Sequence, residues 1–272
     1  MKNSMIKNVS MVLLLSMLSM VNGVAKEDKT KEPVSNAVVA DTVKLIDMAG
    51  KQRMLSQRIA KDYLYVGKNV ATSKANRQIK DSLAELLKTH KVLVESINDP
   101  EIKNLLAFVE MSSEDFESTA NEEFSLDNAQ LVLDLSESML EGSQYVVDSL
   151  KDVVKVNESK IVGKSGKQRM LAQRIAKYYI AYQAGIKDKN TVEQMNAAVK
   201  DFSDAQTYLL NNATNTPEIN RKLNEIDRLW KIVYKFYLNI EKGGLPLIVF
   251  NTTDTITKKM NEITKLYVEL HQ

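Results

Sequence analysis

Apolar residues recur along this chain at the three- and four-residue spacing of amphipathic helices, and they resolve into two sets of four helical stretches. Ile79, Leu83, Leu86, Leu87 and Val94 lie on one stripe, which predicts a helix over about 74–97. Leu126, Val132, Leu135, Met139 and Val146 form a second stripe, opening after Ser125. The first helix of the set is predicted from Pro33-Val34-Ser35 to about Val70, because proline suits a first helical turn and serine caps one. Asn98-Asp99-Pro100 ends the second helix, and Asp99 can cap a third that runs to about Glu122. The same order follows in the second set. Its later helices fall at about 189–210, 218–240 and from Pro246 to near the C-terminus, separated by the polar turn 211–217 and by Gly243-Gly244. The predicted fold class is therefore all-α, as two tandem four-helix bundles over 26–150 and 151–272.

The join between the sets leaves no room for a connection. By analogy with the second set, the last helix of the first should end near Leu150, where the next should begin. Gly142 and Gly163 each cost a helix only about 1 kcal/mol against alanine, so neither is a strong breaker. The pattern predicts one long helix over about 126–184, shared by both bundles. The alternative is a hairpin near Asn157.

The two halves share almost no local identity except in one block, GKQRMLSQRIAK at 50–61 and GKQRMLAQRIAK at 166–177. On a helix turning about 100° per residue, Arg53 lies on the side of Ile46, Ala49, Gly50, Ser56, Gln57, Ala60 and Leu64. Lys44, Lys51, Arg58 and Asp62 face away, so Lys51 and Arg58 read as solvated cations. The second copy repeats this, with Arg169 among Val162, Ser165, Gly166, Ala172, Gln173, Ala176 and Ile180, and Lys167 and Arg174 opposite. A guanidinium on a packing face is costly unless something compensates it. A carboxylate from a neighbouring helix would do so, as would a small oxoanion. The small residues beside each arginine permit close approach, and a guanidinium offers a rigid fork of donors. On a straight shared helix, Arg53 and Arg169 would lie on the order of 50–60 Å apart, at about 1.5 Å per residue. Each would then need its counterpart from a second chain, giving a homodimer with two sites. A fold-back near Asn157 would instead pair both motif helices within one chain.

Composition narrows the chemistry. Residues 1–25 carry Lys2 and Lys7, an apolar run from Met11 to Val21, then Gly23-Val24-Ala25, the layout of a secretory signal peptide. An uncleaved anchor is the alternative, although the run is about half the roughly 20 residues a spanning helix needs. The mature chain is then exported to the periplasm or secreted, with no membrane span. Without Lys2 and Lys7, the 37 basic residues of the chain fall to 35, against 35 acidic. That balance offers no global field for nucleic acid. There are no cysteines, and the two histidines, His90 and His271, are far apart. Thiol chemistry is excluded, and no metal or cofactor is indicated. No nucleophile–base pair or phosphate loop stands out, so the chain does not read as an enzyme.

The motif Gly-x-x-Arg-Met-x-x-Gln-Arg, within helices in both halves, resembles the first-helix motif of the PilJ-type sensory domain. That domain is the extracytoplasmic ligand-binding part of type IV pilus-associated chemoreceptors, and is related to the nitrate-sensor domain of nitrate/nitrite sensor kinases. The resemblance implies four-helix bundles. It also implies that the motif arginine and the glycine three residues before it meet the anion between two first helices. In this chain those residues are Gly50 with Arg53, and Gly166 with Arg169. The implied ligand is a small oxoanion, nitrate or nitrite. The implied partner is a membrane receptor or a second copy, and a helical adaptor without small ligand is the alternative function. Family receptors continue into a membrane span and cytoplasmic modules, whereas this sequence ends at Gln272.

Overall fold

The computed structural model describes residues 36–154 and 157–270, all in helices and short connections. The signal-peptide segment and the predicted start of the first helix lie outside these residues. Eight α-helices are described: α1 Asn36–Gly67, α2 Thr72–Ser96, α3 Pro100–Ala120, α4 Leu126–Val154, α5 Asn157–Ala184, α6 Lys189–Leu210, α7 Pro217–Tyr237 and α8 Pro246–Glu269. A 3-10 turn, Ile240–Lys242, follows α7. Capping sets several boundaries. Asp99 Oδ1 accepts from the backbone N–H of Glu101 and Ile102 at 2.9 and 3.0 Å, with Pro100 in the first turn of α3. Asp188 caps α6 through Thr191 N at 2.7 Å, and Thr216 caps α7 ahead of Pro217. Gly243 and Gly244 take positive φ angles, 63° and 110°, and turn the chain into α8.

Helices α1 to α4 close into one four-helix ring, and α5 to α8 into another. The two rings do not stack end to end. They lie side by side in one unit, and the most extensive helix pair in the molecule is α1 against α5.

The single long helix expected over 126–184 is thereby overturned. Both α4 and α5 pack on α1. They also meet each other antiparallel: Glu137 of α4 bonds Arg174 and Lys177 of α5, while Lys151 lies over Gly163. The pairing is the hairpin alternative; residues 155–156, between the two helices, lie outside the described residues. Folding back buries the motif face of α5 against α1, an apolar gain that a straight helix would have left in water.

Helices α1 and α5 run parallel. Gln57 of α1 and Lys177 of α5 both reach Ser136, at 2.8 and 2.9 Å. One end of the pair is tied to the start of α8 and the turn before it, where Tyr65 Oη donates to Pro246 O at 3.0 Å and Tyr179 Oη donates to Gly244 O. Each half thus supplies one central helix to a pseudo-twofold seam.

Candidate functional site

The seam brings together all four motif positions. A methyl group placed on Gly50 would lie 3.1 Å from Nη2 of Arg53 and 3.6 Å from Nη2 of Arg169. One placed on Gly166 would lie 3.2 Å from Nη2 of Arg169 and 3.9 Å from Nη2 of Arg53. The two glycines thus make room for two guanidinium forks in one spot. Both arginines are buried, at 2% and 0% exposure. The separation of 50–60 Å and the obligatory second chain both followed from a straight helix, and both fall with it.

The two forks are anchored alike. Arg53 Nη1 donates to Gln144 Oε1 on α4, and Arg169 Nη1 donates to Asn261 Oδ1 on α8 at 2.8 Å. Their second branches differ. Arg169 Nη2 donates to Asp47 Oδ1 at 2.6 Å and to the Asp47 carbonyl at 3.3 Å, so this cation holds a carboxylate from the opposite ring. In the repeat, the residue equivalent to Asp47 is Gly163. Arg53 consequently has no carboxylate of its own, and its Nε and Nη2 are buried without a hydrogen-bond partner. A negative charge is reached through a relay in which Gln144 Nε2 donates to Asp148 Oδ2 at 2.7 Å. Burial, and then the charge of Arg169, push the Arg53 guanidinium down from 12.5 to about 10; Asp148 and Asp47 offset this only in part. An unshared buried cation is the arrangement that costs most in a protein interior.

Around this centre the repeats match layer by layer. Lys51 pairs with Glu85, and Lys167 pairs with Asp201 at 2.7 Å, both on the outer side as predicted. Gln52 meets His90 at 3.3 Å, and Gln168 meets Gln206 at 3.4 Å.

Two turns further along the seam lies a charge layer that helical-wheel reasoning missed. Lys61 donates to Asp254 of the opposite ring at 2.8 Å, while Lys177 pairs with Glu137 of the ring opposite to its own. Asp62, predicted to face outward, is fully buried, with Lys61 Nζ 3.1 Å away. Burial raises the Asp62 carboxyl to about 7, although Lys61 opposes the shift. Arg174 is also less solvated than expected, because it reaches Glu137 and Gln194. The physical reason is common to all: at this layer the outward side of each central helix is covered by the opposite ring instead of meeting solvent. The one available signal was the last letter of the repeated block, Lys61 and Lys177, identical in both copies.

Among the described residues no helix is long and apolar enough to cross a membrane, and no cluster of acidic residues and histidines is arranged to hold a metal.

Compared with known families, the chain matches PilJ, the type IV pili methyl-accepting chemotaxis transducer N-term, over residues 41–110 and 155–242. The two segments contain the two copies of the motif block, 50–61 and 166–177. Against curated proteins and solved structures the chain has no match. A match that spans more than half of the chain and both copies of its motif makes this protein a member of the PilJ family of chemotaxis transducer N-terminal domains.

Proposed function

We propose that this protein is an extracytoplasmic sensory-type module, built of two tandem PilJ-like units over 26–150 and 151–272. It binds a small oxoanion, nitrate or nitrite, at Gly50, Arg53, Gly166 and Arg169. The observation that carries this reading is the buried Arg53 guanidinium, whose Nε and Nη2 lack partners beside a second guanidinium. Two cations this close repel when empty and are bridged by a bound anion. A planar oxoanion matches the fork geometry of both. In this arrangement one chain supplies both arginines, with Asp47 as the resident counter-ion of Arg169 and the ligand as that of Arg53. Export to the periplasm and a membrane receptor as signalling partner complete the reading, on the strength of the leader-like N-terminus and the family.

A second reading is favoured by the Arg169–Asp47 bond, which ties the two rings without any guest. On that reading the protein is a helical adaptor and the arginines are structural. Thermal unfolding separates the two. With nitrate at about a hundred times its dissociation constant, binding adds about 2.7 kcal/mol, a rise of roughly 5–10 °C for a chain of this size. The rise should vanish in the Arg53→Ala, Arg169→Ala double variant and shrink strongly in Arg53→Lys. If wild type and double variant respond alike to nitrate, nitrite, sulfate and chloride, the site does not exist.

A further inference from the structure

The two rings serve as controls for each other, and at one place they differ in a way that opens space. Thr119 aside, the buried positions on α3 match those on α7: Ile102, Leu106, Val109, Ser113, Phe116 and Ala120 against Ile219, Leu223, Ile226, Trp230, Val233 and Tyr237. On α2 and α6, Leu86 corresponds to Phe202. In the second ring three aromatics fill the gap between neighbouring helices. Trp230 stacks on Phe202 with ring centroids 4.2 Å apart and on Tyr237 at 5.6 Å, and Tyr237 meets Tyr179 at 6.2 Å. The first ring has Leu86, Ser113 and Ala120 at these positions.

Of these three, Ala120 stands in the wall of an open cavity of about 860 Å³ between α2, the end of α3 and the turn into α4. Val66, Ile79, Leu83 and the exposed Leu87 give it an apolar lining. Two aromatic rings stand in its wall, Tyr63 and Phe124, with centroids 5.7 Å apart. Both are fixed. Tyr63 Oη donates to Glu123 O at 3.0 Å, and the Phe124 ring occupies the space a side chain on Gly67 would need, 2.1 Å from that Cβ position. The rim carries Glu117, Glu122 and Glu123 against one cation, Lys80. At the position of Glu117 the second ring has Tyr234, which packs on Trp230 at 5.8 Å.

We propose that this cavity is a second ligand site, for a small organic cation with an apolar or aromatic body. The volume is that of a small-molecule pocket. Aromatic faces attract an ammonium through their quadrupole, and the carboxylate rim adds charge of the right sign. An anion would meet three carboxylates, and a neutral apolar guest would gain nothing from them. The site is independent of the arginine seam, so loss of oxoanion binding leaves it untouched.

The test is equilibrium titration of the full chain with thioflavin T, a cationic aromatic dye, and with benzyltrimethylammonium as competitor. The anionic dye 8-anilinonaphthalene-1-sulfonate serves as the opposite-charge control. Wild type should bind the cationic dye saturably, release it to the competitor and bind the anionic dye at least tenfold more weakly. Ala120→Tyr, which restores the second ring's filler, should lower affinity for the cation at least tenfold. The triple variant Glu117→Gln, Glu122→Gln, Glu123→Gln lies on the surface and keeps the cavity. It should lose about tenfold in cation affinity, the sum of three screened rim charges, and should no longer discriminate against the anion. The proposal is overturned if wild type fails to bind either cation, if both dyes bind equally, or if either variant binds as wild type does.

Discussion

The asymmetry between Asp47 and Gly163 yields the sharpest prediction. Arg169 holds Asp47, whereas Gly163, the position that the repeat relates to Asp47, has no side chain to offer Arg53. Gly163→Asp therefore supplies the missing carboxylate from within the chain. Its magnitude follows from the guanidinium itself. A shift from 12.5 to about 10 in the folded protein corresponds to a penalty on the order of 3 kcal/mol at neutral pH, where the unfolded side chain is fully charged and solvated. A well-placed carboxylate recovers part of that penalty, and removing a mid-helix glycine adds a few tenths of a kcal/mol. Lys151 is the first neighbour, with Cε 2.9 Å and Nζ 3.5 Å from the new Cβ; its flexible chain can swing aside, but its ammonium competes with Arg53 for the new carboxylate. The net expectation is about 1–3 kcal/mol of stabilisation, or roughly 3–10 °C in Tm. Gly163→Ala carries the helix gain without the charge, about 1 kcal/mol or roughly 2–4 °C, and should leave the nitrate response in place. Differential scanning fluorimetry with and without nitrate then reads two things together: a higher Tm without anion, and an anion-dependent rise that is gone. If Gly163→Asp melts no higher than Gly163→Ala while its nitrate response persists, Arg53 is not short of a counter-charge and the reasoning fails.

Gly50→Ala puts a methyl 3.1 Å from Arg53 Nη2, in the space between the two forks. Helix propensity gains about 1 kcal/mol and crowding costs a similar amount, so Tm should barely move while the nitrate response is lost. Asp62, with its carboxyl raised to about 7 in the fold against 3.8 for the free side chain, binds its proton more tightly when folded. The stability this gives is full below about pH 4 and is lost as pH rises to 7, by an amount on the order of 4 kcal/mol. Asp62→Asn should therefore raise Tm more at pH 8 than at pH 5 in urea or thermal melts. An equal effect at both pH values would show that the buried carboxyl does not titrate in this window.

Helix content and the repeat were legible in the chain because both are local. Periodic apolar residues, Asp99-Pro100 and Gly243-Gly244 act within a few residues of themselves, and their elements appear where the pattern put them. The candidate arginines were legible for the same reason: a cation on the small, apolar side of a helix is a contradiction visible on one helical wheel. The wheel nonetheless failed for Asp62 and Arg174. It assumes that the outward face meets solvent along the whole helix, and at this layer the opposite ring covers it.

What surrounds each arginine was decided only in three dimensions. No periodicity distinguishes a helix that runs straight through 126–184 from two that fold back, because the sequence on either side of the join is equally helical. The choice rests on burying the motif face of α5 against α1, an interaction between residues more than a hundred positions apart. That packing alone turned two distant guanidiniums into neighbours, gave Asp47 to one of them and left the other with a glycine where its counter-ion would stand.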